Sequence, residues 1–136
     1  MLVRLFFKRI IKEPVASRYL MLLQDNMEKE RYLQIYIGDK EGETVASWER
    51  NIVPPRPMTY DLITEILNLS DNVVLEKILI DGCNQDVFYA KMYFNVNGLE
   101  KVIDCRPSDA IAIGLKMNVP IYAESCVIEK HGIVII

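Results

Sequence analysis

The sequence has one histidine in 136 residues, three cysteines and no excess of positive charge. Because His131 is the single histidine, a two-histidine acid–base pair within one chain is excluded. Cys83, Cys105 and Cys126 are odd in number and far apart, and they fit neither a zinc spacing nor a disulfide framework. They are expected to be small buried apolar residues in a reducing compartment. With 16 Lys and Arg against 19 Asp and Glu, the net charge is -3, so the chain lacks the overall basic character of proteins that grip nucleic acid tightly through phosphates alone. Long apolar runs are also missing. The opening "MLVRLFFKRIIKEP" breaks its apolar residues into runs of two or three, too short for a signal peptide or a membrane span. A cytoplasmic protein with no membrane association is expected. No Gly/Ser linker, low-complexity tract or solenoid repeat divides the chain, so residues 1–136 are expected to form a single domain.

What is present is a succession of short periodic segments. Residues 2–12 read as a strand with Arg4, Lys8 and Lys12 on one face together with Phe6 and Ile10. This basic face could serve nucleic acid or guard a sheet edge against wrong pairing. Residues 17–24 and 31–37 read as strands joined by the polar turn "DNMEKE", and in "RYLQIYI" Leu33, Ile35 and Ile37 alternate with Tyr32, Gln34 and Tyr36. "DKEGETVASWERN" predicts a helix with acids at its start, although Gly42 weakens its first turn. "VPPRP" requires an extended connector. "MTYDLITEILNLS" predicts an amphipathic helix with Met58, Leu62, Ile66 and Leu69 on its apolar face and Thr59 as N-cap. Strands over 73–81 and 86–96, a hairpin at "NVNGLE", a returning strand through "KVIDC", and a buried helix over about 107–117 follow. A short strand "IYA", a helical turn in "SCVIEKHG" and a tail strand "IVII" complete the chain. The expected fold is α+β, mostly antiparallel β-sheet hairpins with about three inserted helices.

Two Arg-Pro units stand out. "DCRPSDA" places Arg106 before Pro107 at a helix start, with Asp109 at the third position, where it can cap the N–H of Arg106. "RPMTYD" repeats the pattern with Arg56, Pro57 and Asp61. A cation at a helix N-terminus lies at the wrong end of the dipole and needs a partner. Either Arg56 and Arg106 pair with Glu41, Asp61, Asp104 or Asp109 and brace two helix starts, or both arginines converge with the helix starts on an anion such as phosphate.

Tyrosines form a second pattern. Tyr32 and Tyr36 share the polar face of one strand, and Tyr89 and Tyr93 that of another. Aligned, they would make a homo-oligomer interface, a base-stacking platform or an ordinary exposed face, with the interface expected first.

"IYIGDKEGETVA", "PPRPMTYDLI", "FYAKM", "DCRPSDAIAIGLKMNVPIYA" and "VIEKHGI" resemble, in this order, the bifunctional nuclease domain family, formerly a domain of unknown function. The resemblance spans about residues 10–133. It implies hydrolysis of phosphodiester bonds in DNA and RNA, hence a hydrolase with a DNA or RNA substrate. Carried over by residue, it offers Glu41, Asp61 and Asp109 as catalytic, Arg56, Arg106 and Ser108 as substrate-binding, and Asp104 with Asp109 as holders of Mg²⁺ or Mn²⁺. Many relatives carry histidine where this chain has Tyr60. No DxD or HExxH signature fixes a metal site. The alternatives are a noncatalytic anion- or nucleic-acid-binding module and a structural homo-oligomer whose Arg-Pro units only brace the fold.

Overall fold

A computed structural model describes residues 1–25, 31–85 and 87–134. Strands β1 (Leu2–Lys12), β2 (Arg18–Asp25) and β3 (Arg31–Gly38) lead into helices α1 (Asp39–Glu49) and α2 (Thr59–Leu67). Strands β4 (Val73–Asn84), β5 (Val87–Val96) and β6 (Leu99–Cys105) precede α3 (Pro107–Lys116), then β7 (Ile121–Glu124), α4 (Ser125–His131) and β8 (Ile133–Val134). Among the described residues the strands form one sheet in the order β6-β5-β4-β7-β1-β2-β3-β8. All neighbours pair antiparallel except β4 and β7. The fold is α+β as the sequence predicts, with α4 as a fourth helix. The turn expected at 25–30 falls, beyond Asp25, outside the described residues, as do the last two positions of the tail strand.

The core is α3. Ala110, Ile111, Ala112, Ile113 and Gly114 are all buried, so the helix meets protein on every side. It packs against β3, β4 and β5. In the strand order β5 is second and β3 seventh. At about 4.8 Å per strand a flat sheet would hold them about 24 Å apart, twice the width of a helix. The sheet therefore curls around α3. Two glycines permit the close approaches this needs. A Cβ on Gly114 would lie 2.8 Å from Ile78 Cγ1, and one on Gly42 would lie 2.3 Å from Tyr19 Cδ1. Gly42, which weakens α1 as a helix, is what lets α1 lie on β2. Asn97 (φ 53°) and Gly98 (φ 85°) make the β5–β6 hairpin, a turn that requires two left-handed residues.

Four expectations are corrected. The β1–β2 register shifts between Phe7 and Arg9, and this bulge reverses the alternation along β1. Val3, Leu5 and Phe7 face the core before it and Ile10 after it, so Ile10 does not share a face with Arg4. On α2 the predicted apolar face is outside: Met58, Leu62, Ile66 and Leu69 are exposed, while Tyr60 and Thr64 are buried and Ile63 and Leu67 pack on the core. Thr64 tolerates burial because its hydroxyl donates to the Asp61 carbonyl at 2.9 Å. The N-cap of α2 is Met58, not Thr59. The cysteines are not core residues either: Cys126 is exposed and Cys83 and Cys105 are half-buried, all as free thiols. Among the described residues no helix is long and apolar enough to cross a membrane.

Ile111→Ala, in the middle of α3, is expected to cost about 2–5 kcal/mol in urea melts. In melts at a dilution where the chain is monomeric, Leu62→Ala or Ile66→Ala is expected to change stability by no more than about 0.5 kcal/mol. A loss above about 2 kcal/mol from either would show that the α2 stripe is covered.

Candidate functional site

Curling brings the two ends of the sheet toward each other without joining them. Among the described residues β8 pairs with β3 only at Arg31 and Tyr32, and β6 reaches β5 no further than Ala90. The outer edges of β3 beyond Tyr32 and of β5 at Val87–Tyr89 are thus left without a ladder partner. A cleft of about 880 Å³ occupies this seam. One wall is Gln34, Ile35, Tyr36 and Gly38 of β3 and the other is Val87 to Tyr89 of β5. Asp104 to Ser108, the passage from β6 into α3, and His131 at the end of α4 line the rest. Half-buried Phe88 and Cys105 belong to the floor, whereas Tyr36 and Tyr89 are more than two-fifths exposed and stand at the rim. His131 lies edge-on to Phe88, with ring centroids 5.4 Å apart.

Arg106 enters the cleft held from behind. Its Nε donates to Asp109 Oδ2 at 2.7 Å and its Nη2 to Oδ1 at 3.1 Å. Tyr60, on α2, donates its hydroxyl to the same Oδ1 at 2.8 Å. Asp109 thus does not cap the Arg106 N–H as expected; the guanidinium competes better for the carboxylate, because a bidentate ion pair is stronger than one backbone hydrogen bond. The pair raises the Arg106 pKa above its ordinary value, with the Asp109 hydrogen bond as the main cause. A guanidinium has five N–H donors, and the Nη1 amine has no partner in the clasp. The arginine side chain is 73% exposed, so that amine is open to a ligand. No side chain caps the first turn of α3, where Pro107 occupies the first helical position. The positive end of a fully buried helix therefore opens on the cleft beside Arg106.

The other expected site residues divide. Asp104 and Ser108 line the cleft. Glu41 is exposed and its side chain forms no hydrogen bond among the described residues, but it stands close enough to raise the pKa of both Tyr60 and Arg106. Asp61 is outside the cleft. Its Oδ2 accepts the Met58 N–H at 3.0 Å, and Lys116 Nζ lies 3.4 Å from Oδ1, a charge contact without hydrogen-bond geometry. Asp61 thus starts α2 and ties it to α3. Arg56 is exposed, has no partner among the described residues and does not line the cleft. The two helix starts do meet, through Tyr60 and Asp109, but only one of the two arginines joins them.

Among the described residues no three His, Cys, Asp or Glu side chains group closely enough to hold a metal ion. Both Asp109 oxygens are engaged by Arg106 and Tyr60, which leaves Asp104 alone. This donor set does not fit a protein-held Mg²⁺ or Mn²⁺. Cys105 does not fit a nucleophile: burial first, then Asp104, Asp109 and Asp81, push its thiol up to about 11, so it stays protonated at neutral pH. The tyrosines do not form one face. Tyr36 and Tyr89 face each other's strands across the seam, Tyr93 lies under Lys77 at 4.7 Å, and Tyr32 sits where β3 pairs with β8. His131 carried no spacing signal in the sequence, and the alternation that singled out Tyr36 and Tyr89 did not place them near Arg106, since only the curl of the sheet brings these residues to one cleft.

Tyr60→Phe is expected to cost about 1.5–3 kcal/mol, the value of a hydrogen bond to a charged group. Burial, then the Asp109 hydrogen bond, raise the Tyr60 pKa above its ordinary 10.0. Above pH 10 the unfolded chain gives up this proton while the folded chain keeps it, so the parent loses stability as pH rises. Denaturant melts from pH 8 to 11 should show the gap between parent and variant narrowing at the alkaline end. With iodoacetamide near pH 8, mass spectrometry should find Cys126 alkylated well before Cys105.

A model of the bifunctional nuclease domain matches residues 21–135. An uncharacterised protein of Mycobacterium tuberculosis is 34% identical over 125 residues, covering 92% of this chain and 73% of its own length. A rice protein, bifunctional nuclease 1 of Oryza sativa subsp. japonica, is 29% identical over 124 residues, 89% of this chain but 37% of the rice protein. The match over nearly the whole fold, from β2 through the strand that follows α4, shows that this chain belongs to the bifunctional nuclease domain family.

Proposed function

We propose that the chain is a nuclease that hydrolyses phosphodiester bonds of DNA and RNA in the seam cleft. One observation carries this reading. Four of the five segments that resemble the family deliver their residues to the same cleft: Tyr36 and Gly38, Phe88 and Tyr89, Asp104 to Ser108, and His131. The fifth supplies Tyr60, which steadies Arg106 through Asp109. Arg106 Nη1 and the first N–H groups of α3 bind the scissile phosphate and offset the charge that builds on its oxygens. His131 accepts a proton from the attacking water as the new P–O bond forms. The bond to the leaving oxygen breaks, and that oxygen takes a proton from solvent. The three free thiols agree with a reducing, cytoplasmic setting. We also take self-association to be part of the protein's state, with the exposed α2 stripe a better candidate for contact than the divided tyrosines.

Purified protein incubated with labelled DNA and RNA, with Mg²⁺, with Mn²⁺ and with EDTA, should release fragments. His131→Gln is expected to lower kcat/KM by about 100-fold or more, in line with loss of a general acid–base group. Arg106→Ala should do the same, and Arg106→Lys, which keeps the charge but not the fork, should recover only part of it. Cys126→Ser should cleave as the parent does. A parent without cleavage under every condition, or a folded His131→Gln that cleaves at the parental rate, would sink the reading.

A further inference from the structure

We propose that the substrate of the seam cleft is a single, unpaired strand, with successive bases stacked on Tyr36 and Tyr89 while the phosphate between them sits at Arg106 and the start of α3. This rests on the nuclease reading and names the form of nucleic acid it takes. Tyr36 and Tyr89 are the exposed rings of the two opposing walls, 44% and 43% exposed. Arg18 lies 3.7 Å from the centre of the Tyr36 ring. It covers one face of that ring and places a second cation at the rim, itself paired to Glu13. An aromatic ring takes the face of a base whatever its identity, but only when that face is free. In a duplex each base face is already covered by its neighbours, so the rim rings would meet only backbone. A duplex could place a phosphate near exposed Arg106 but could not use the tyrosines.

The charge balance points the same way. Among the described residues the cleft and rim hold two Lys or Arg side chains, Arg106 and Arg18, and each has a carboxylate partner. The chain as a whole is negative. Affinity must therefore come from stacking more than from phosphate contacts, which a single strand provides and a duplex does not. Two unpaired strand edges could instead accept an extended peptide. The rim, however, carries two rings, a guanidinium and a helix N-terminus rather than aliphatic pockets for alternate side chains, and this favours nucleic acid.

The test is fluorescence anisotropy in the His131→Gln background, which the nuclease reading makes unable to consume the probe, with a fluorescein-labelled oligothymidylate of about twelve nucleotides and a duplex of equal length, gels confirming that both stay intact. The single strand should bind at least tenfold tighter. Tyr36→Leu and Tyr89→Leu should each weaken it by about tenfold, within the range for one lost base stack. With one phosphate contact, at Arg106, the log–log salt slope should be about −0.7. Equal affinity for the duplex, or tyrosine variants that bind as that background does, would overturn the proposal. So would displacement of the oligonucleotide by a decapeptide of alternating Val and Thr. Cleavage that still depends on His131 and Arg106 would then leave the nuclease reading standing. Tight, tyrosine-dependent binding with no cleavage by the parent would overturn the nuclease reading instead.

Discussion

Burial of α3 on all sides is the constraint from which the rest follows. A helix with Ala110 to Gly114 all inaccessible cannot rest on a flat sheet. The strands have to wrap it, and they do so by curling until β3 and β5 stand on opposite sides of one helix. Closure would make a barrel without edges. The first turn of α3 sits where closure would occur, so the sheet stops short there. The gap is a product of core packing, and the candidate site is that gap.

The same constraint explains how charge is handled. The helix start that opens on the gap carries a partial positive charge, and Arg106 adds a full one. Two positive groups side by side need a compensating anion, and Asp109 supplies it within the same turn. Tyr60 reaches across from α2 to complete the shell of that carboxylate. The cluster is a brace that, in the function proposed above, also seats the phosphate. Asp109 stabilises the helix start, while the outer amine of Arg106 is left for a ligand. The alternatives open from sequence, brace or anion site, are two faces of one arrangement. Asp61 belongs wholly to the brace.

The local parts of the fold were legible because single residues report them. Strict alternation in β3 and β5 reports a half-buried strand, and Asn97-Gly98 reports a two-residue hairpin. The nearly all-apolar run after Pro107 reports a central helix. The helix α2 shows the limit. Both of its faces carry apolar side chains, so amphipathicity identifies the helix but not the face that docks. The docking face contains a threonine and a tyrosine whose hydroxyls find partners only in the folded chain. One inserted residue in β1 reversed the faces beyond it, and no residue type marks such a bulge. In the site, Arg106 was legible from the helix-start chemistry, and Ser108 only from the family resemblance. His131, Tyr36 and Tyr89 were not, because their proximity to Arg106 is set by how far the sheet curls and where α4 docks, properties of strand order rather than of any local pattern.

Tyr60 gives the site a character its histidine-bearing relatives would not share. An imidazole touching Asp109 would gain and lose charge across the acidities found in living cells, and the grip on Arg106 would tighten and slacken with them. A phenol buried against a carboxylate stays neutral throughout that interval. In this chain the phenol's hold on Asp109, and through it the support of the guanidinium, therefore does not come and go with a charge on the residue at position 60.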